Sequence, residues 1–217
     1  EAAAALYDYF ASFLAERRIR PRDDLMSALV EAEVEGQRLS EDELLGFCFL
    51  LLVAGHETTT NLLSNSLVAL AGEPDARHAM ADDPQLLPRA VEELLRYDSP
   101  VQGLSRTLTR STTMHGQDLE PGDVVLLLFG SANRAEQVFP AADHRSAEQH
   151  LALGHGVHFC LGASLARLEA RSALQALLSR HRDWEVDEES AVRLQSGPIR
   201  GFATLPFRPI AGTWRVR

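Results

Sequence analysis

Leu153-Gly154-His155-Gly156-Val157-His158-Phe159-Cys160-Leu161-Gly162-Ala163 is a glycine-rich loop that closes on a cysteine. It runs directly into a stretch predicted to be helical from about Gly162 to Ser179. Glycine admits positive φ and lets backbone approach a ligand closely. Backbone N–H groups at a helix start favour the thiolate of a nearby cysteine over its thiol. A thiolate presented this way suits a soft metal or a haem iron. Two other readings stay open at these residues alone. Lone cysteines are commonly inert buried side chains. His155, His158 and Cys160 are also ligands of zinc type, with His150 as a candidate fourth.

Upstream, Ser40-Glu41-Asp42-Glu43 is a capping box, S-x-x-E, set before an apolar run. The helix it starts is predicted to continue to about Ala71, where Gly72 and Pro74 stop it. Its middle, Leu44 to Ala54, is apolar all round, which predicts burial in the centre of a large core. Ala54-Gly55-His56-Glu57-Thr58-Thr59-Thr60 interrupts that helix. Glycine costs about 1 kcal/mol against alanine in a helix. A buried carboxylate costs more unless paired, and threonine hydroxyls bend helices by bonding back to an earlier carbonyl. The segment reads either as a structural kink or as a polar notch facing a ligand. His56-Glu57 opens like the zinc-protease pattern H-E-x-x-H, but residue 60 is threonine. Further on, Glu92-Glu93-Leu94-Leu95-Arg96 places Glu93 and Arg96 on one helix face. Taken alone, that is a common surface ion pair.

Around these motifs the chain reads as mainly helical with a minor β portion. A first helix is predicted from Ala2 to about Arg18, and a short second one over Leu25 to Val30, closed near Gly36. Pro84 and Pro88 open another that ends near Tyr97. Thr107 to His115 and Val124 to Phe129 read as short strands, residues 133–150 as irregular, and the end as turns and short strands. The 217 residues, 45% apolar, bury a core without staples, and Cys48 and Cys160 make no disulfide framework. A net charge of −10 speaks against nucleic acid as a partner. The apolar run Leu44 to Gly55 is shorter than the roughly 20 residues that span a bilayer. Glu1 to Ala5 lacks the basic start of a signal peptide. The expectation is a soluble cytoplasmic protein with no membrane partner.

In their order and spacing, A-G-x-E-T-T in a long helix, E-x-x-R, and G-x-G-x-H-x-C-x-G before a helix resemble the cytochrome P450 family. These are haem-thiolate monooxygenases, and the similarity is greatest to soluble bacterial members, from Leu6 to Ile210. The resemblance implies a partial cytochrome P450 fold: a single partial domain over residues 1–217, corresponding to the C-terminal half of proteins about double this length. It implies haem b as cofactor, with Cys160 as its axial metal ligand. Glu57 and Thr58 match the acid–alcohol pair that delivers protons to bound O2, with Ala54 and Gly55 over the haem on that side. Glu93 and Arg96 match a structural pair bracing the ligand region. Arg106 and His158 match propionate contacts, and Phe159 and Gly162 complete the loop. Val101 to Leu104, the helix face near Leu51 and Gly201 to Thr204 would meet a small organic substrate. A ferredoxin-type donor would supply electrons, with Arg167 and Arg171 as candidates for its docking.

Three departures stand out. Leu153 replaces the phenylalanine that usually opens the loop. Asn133-Arg134-Ala135-Glu136 and Phe139-Pro140-Ala141-Ala142-Asp143-His144-Arg145 stand where N-R-D-P and F-P-x-P-x-R-F are usual. The arginine that joins Glu93 and Arg96 is thus displaced or replaced by His144, and the segment leading to the loop is short. The alternatives to a monooxygenase are a truncated, non-catalytic member that does not retain haem, and a zinc-binding module.

Overall fold

The computed structural model describes residues 2–140 and 149–210. They fall into two compact units, Glu1–Glu57 and Thr58–Arg217.

The first unit holds α1 (Ala2–Ile19), α2 (Leu25–Glu31), the hairpin of β1 (Glu33–Val34) and β2 (Gln37–Arg38), and the opening turns of α3 (Glu41–Ala71). The Asp24 carboxylate caps α2 by accepting from the Ser27 N–H at 2.8 Å, and it also accepts from Arg17 Nε at 2.5 Å. Those bonds, the Ser27 N–H first, hold its carboxyl down at about 2. The second helix closes at Glu31 rather than near Gly36. Glu35 and Gly36, with φ of 53° and 79°, instead form the two-residue turn of the hairpin. The capping box forms as its sequence dictates. Ser40 N–H donates to Glu43 Oε2 at 2.8 Å, and the Glu43 N–H to Ser40 Oγ at 3.3 Å.

Burial along α3 differs from expectation. Leu44 and Cys48, one turn apart, pack with Leu14, Phe10, Met26 and Leu29. Leu50, Leu52 and Val53 are exposed, at 59, 45 and 47%. Within this unit only one stripe of the helix finds apolar partners, although its composition is apolar on every face.

The second unit continues α3 and adds α4 (Pro74–Asp82), α5 (Leu87–Tyr97), β3 (Leu104–Thr107), β4 (Thr112–Met114), β5 (Gln117–Leu119), β6 (Val124–Leu127) and α6 (Phe129–Ala132). After these come α7 (Ala163–Leu178), β7 (Trp184–Val186), β8 (Val192–Arg193), β9 (Phe202–Thr204) and β10 (Phe207–Pro209). The sequence predicted no helix at α4. Pro74, read there as a stop, is the first residue of a new helix, where its missing N–H costs nothing. On α5, Leu87, Val91, Leu94 and Leu95 form one buried face, and on α7 Ala163, Ala170, Leu174 and Leu178 do the same. With Leu62, Leu70, Met80 and Trp184 they build the core of this unit.

The strands pair as small antiparallel ribbons: β3 with β6, β4 with β5, β7 with β10, and β8 with β9. Two buried amides on α3 tie the loops of this unit to the helix. Asn65 Nδ2 donates to the carbonyls of Asp98 and Arg200, at 3.2 and 3.1 Å. Asn61 packs so closely on Gly201 that a Cβ there would overlap its side-chain amide. These contacts fix the start of the segment Gly201 to Thr204 and the approach to Val101.

Candidate functional site

The loop before α7 is held by its own backbone. Cys160 N–H donates to the Leu153 carbonyl at 2.8 Å, Gly154 N–H to Leu151 at 3.0 Å, and Phe159 N–H to Gly156 at 3.0 Å. Gly154 has φ of 76°, and a Cβ on it would meet the His158 carbonyl at 3.0 Å, so glycine is needed here on both counts. Cys160 is a half-exposed free thiol, and a Cβ on Gly162 would come within 4.0 Å of its Sγ. Gly162, the cap of α7, makes no side-chain hydrogen bond to the helix start. Ala163 N–H donates to the Cys160 carbonyl at 3.2 Å, and the positive end of the α7 dipole lies at this turn. Cys48 differs: it is buried, and burial pushes its thiol up, which suits core packing rather than chemistry.

The rim of the loop is apolar and open. Val157 is 97% exposed and Leu161 76%, with Phe159 exposed beside them. Side chains of this kind, clustered on a surface, mark a place where something binds. The candidate zinc set does not assemble: among the described residues no three His, Cys, Asp or Glu converge as a metal-holding group. The extended His155 and the tight helical turn Gly156–His158 after it send successive side chains apart, and His150 is engaged elsewhere. A single half-exposed thiol, an uncapped helix start and an apolar rim fit a flat apolar cofactor bound through sulfur.

Behind the loop, Glu93 and Arg96 form a two-pronged pair, with Nε to Oε2 at 2.8 Å and an Nη to Oε1 at 2.6 Å. The hydrogen bond to Glu93 raises the guanidinium above its already high pKa. Arg96 also donates to the Asn133 carbonyl at 2.7 Å and lies 5.2 Å from the centre of the Phe139 ring. Asn133 is fully buried. Its amide donates to Ser99 Oγ at 2.9 Å, and its Oδ1 accepts from the Leu151 N–H at 2.7 Å. Asn133 thus connects the Arg96 pair to the first residues of the cysteine loop, a role no local sequence signal announced. His144, the candidate third partner of the pair, lies outside the described residues, as do Asp143 and Arg145.

A second, partly buried carboxylate stands next to the first. Glu92 accepts from Arg167 Nε at 2.7 Å and an Arg167 Nη at 2.8 Å. It also faces His150 Nε2 at 3.1 Å. His150 Nδ1 accepts from the Ala152 N–H at 3.2 Å, so its proton sits on Nε2 and is donated to Glu92. Arg167, 36% exposed, commits both prongs of its guanidinium to Glu92. Burial alone would raise the Glu92 carboxyl, but the hydrogen bonds from Arg167 and His150, with the Arg167 charge, outweigh it and hold it at about 2. A depressed folded pKa adds stability above the unfolded value of 4.5, and that stability is lost as pH falls toward 2. Urea unfolding free energies at about pH 6 and about pH 3 should show it: the advantage of the wild type over Glu92→Gln should shrink by about 2 kcal/mol.

The other predicted residues occupy these places. Arg106 is half-buried on β3 opposite Val125, with an Nη donating to the Ser105 carbonyl at 2.9 Å. His158 and Phe159 are exposed on the loop. Ala54, Gly55 and Glu57 are exposed on α3 and Thr58 is half-buried, with Ala54 and Thr58 one turn apart on the same face. A Cβ on Gly55 would meet nothing, so no neighbour among the described residues requires glycine there.

The chain matches the family model described as Cytochrome P450 over residues 2–209. It is 42% identical, over an alignment of 224 residues, to Cytochrome P450 107B1 of Saccharopolyspora erythraea, covering 96% of this chain and 53% of that protein. It is 42% identical over 215 residues to Steroid C26-monooxygenase of Mycolicibacterium smegmatis, covering 96% of this chain and 54% of that one. The solved structure of the bacillaene polyketide synthase cytochrome P450 PksS of Bacillus subtilis superposes with a TM-score of 0.90 at 40% identity, over 95% of this chain and 55% of that one. The chain spans about half the length of the curated relatives it matches. No helix among the described residues is long and apolar enough to cross a membrane.

Proposed function

The chain belongs to the cytochrome P450 family, and we propose that it forms the thiolate-bearing part of a monooxygenase that inserts one oxygen atom from O2 into a small organic substrate. The observation that carries this reading is Cys160: a half-exposed thiol, pinned through its N–H to Leu153, at an uncapped helix start with an open apolar rim. When bound, haem b would supply an iron at which O2 is reduced with two electrons from a donor protein of ferredoxin type. Cys160 Sγ would hold the iron as a thiolate, which the N–H groups of α7 favour. Arg106 and His158 would take up the propionates. Both are long polar side chains within reach of solvent, at opposite ends of the sequence segment Leu104 to Phe159. Val101 to Leu104 and Gly201 to Thr204 would bound the substrate. Asn61 and Asn65 are positioned to keep them rigid.

Thr58 would move protons. Its Oγ1 would pass a proton toward the O2 side of the site, and the carboxyl of the adjacent Glu57, exposed to water, would take a replacement proton from solvent and hand it on. Thr58→Ala is expected to leave substrate affinity intact while diverting most reducing equivalents to hydrogen peroxide. Coupling equal to that of the wild type, measured as product formed per electron consumed, would remove this role.

The ferrous–CO spectrum of the haem-loaded protein tests the reading as a whole. Stoichiometric haem uptake with the red-shifted thiolate Soret band supports it. Uptake with a band of neutral-ligand type overturns Cys160 as axial ligand. Failure to take up haem favours the non-catalytic alternative.

A further inference from the structure

We propose that Glu92 is a positioning residue that clamps both ends of the Cys160 loop through His150 and Arg167, and so sets where the thiolate stands. This rests on Cys160 being the haem ligand. The loop leaves its ligand-bearing turn on an exposed, glycine-rich path with little packing of its own. Its geometry must therefore be imposed at its ends. His150 stands immediately before Leu151, the first residue of the loop, and its side chain is only 2% exposed. Arg167 stands on the second turn of α7, just beyond the loop's far end. Both converge on one carboxylate, 12% exposed, on the rigid helix α5.

The upstream arm reaches the loop backbone directly. With its proton on Nε2 for Glu92, His150 presents an unprotonated Nδ1 to the Ala152 N–H. The carboxylate thereby fixes the tautomer that holds Ala152, one residue before the Leu153 carbonyl that accepts from Cys160 N–H. The downstream arm is a fork of two bonds, which sets the rotation of α7, and hence of Gly162 against the thiol, more tightly than one charge contact could. Neither arm touches Cys160, so the effect is on placement and not on chemistry.

Glu92→Gln separates the arms. The glutamine carbonyl can still accept from Arg167, but its NH2 then confronts the Nε2–H of His150, donor against donor. His150 can relieve this only by moving its proton to Nδ1, which releases Ala152. Arg167→Ala frees the other end, and Arg167→Lys keeps a point charge without the fork. Amide exchange in the haem-stripped protein should be roughly tenfold faster at Ala152, Gly154 and Cys160 in Glu92→Gln, while the exposed ribbon of β4 and β5, which opens locally and away from Glu92, keeps wild-type rates. In the haem-loaded protein, part of the ferrous–CO absorbance should move from the red-shifted band to the neutral-ligand band. Arg167→Lys should fall between wild type and Arg167→Ala on both measures. Unchanged loop rates would overturn the clamp, and unchanged loop rates with Leu174 and Leu178 in α7 accelerating would make the network a general stabiliser. A wild type without the red-shifted band defeats the Cys160 reading instead, and the exchange comparison still decides the clamp.

Discussion

Cys160→Ala is expected to abolish the red-shifted ferrous–CO band completely, while the far-ultraviolet circular dichroism of the chain stays as in the wild type. The fold should survive because Cys160 contributes little to packing. It is half-exposed and absent from both apolar cores. The loop's hydrogen bonds run through the backbone, and an alanine at 160 still donates its N–H to Leu153. What is lost is the sulfur proposed to hold the iron. The buried Cys48 offers no substitute, since burial raises its thiol and it packs with Leu14 and Leu44. Cys48→Ala is the matching control and should leave the spectrum unchanged. Retention of the red-shifted band in Cys160→Ala would show that the sulfur ligand lies elsewhere, and the reading of the loop would fall with it.

The features that local sequence carries well are those whose physics is local. The Ser40–Glu43 box starts α3 because both partners lie within four residues of one another. The buried faces of α5 and α7 follow from apolar residues three and four apart, and the glycines and cysteine of the ligand loop sit consecutively. Chemistry that joins distant segments had no such signature. Glu92 meets His150 across 58 residues and Arg167 across 75, and Asn133 meets Leu151 across 18. Read in sequence, Glu92 is one more acid on a helix and Asn133 one more loop amide. Pro74 was ambiguous for a different reason: the residue that cannot continue one helix is well placed to begin the next. The exposure of Leu50, Leu52 and Val53 was not legible because an apolar pattern states which faces can be covered, not which have a neighbour.

Arg96→Ala should be the most damaging change to stability behind the loop, costing about 2–3 kcal/mol. Three losses coincide at this side chain. Glu93 keeps its charge but loses both hydrogen bonds, at 28% exposure. The Asn133 carbonyl loses its donor, and Asn133 is fully buried. The Phe139 ring loses the cation beside it. Partial exposure of the pair, 15% at Arg96, keeps the cost below that of breaking a fully buried one. It stays above a surface pair because the guanidinium is shared with a buried backbone group that water cannot serve. Arg96→Lys should recover only a minor part, since an ammonium cannot fork onto Glu93 and reach the Asn133 carbonyl at once. Urea unfolding of Arg96→Ala, Glu93→Ala and the double variant closes the cycle. The pair's coupling should be smaller than the Arg96→Ala loss, because the Asn133 bond belongs to Arg96 alone. If the pair's coupling accounts for the whole Arg96→Ala loss, the Asn133 link contributes nothing. Haem dissociation should then respond to both variants equally, whereas transmission through Asn133 to Leu151 predicts faster haem loss in Arg96→Ala.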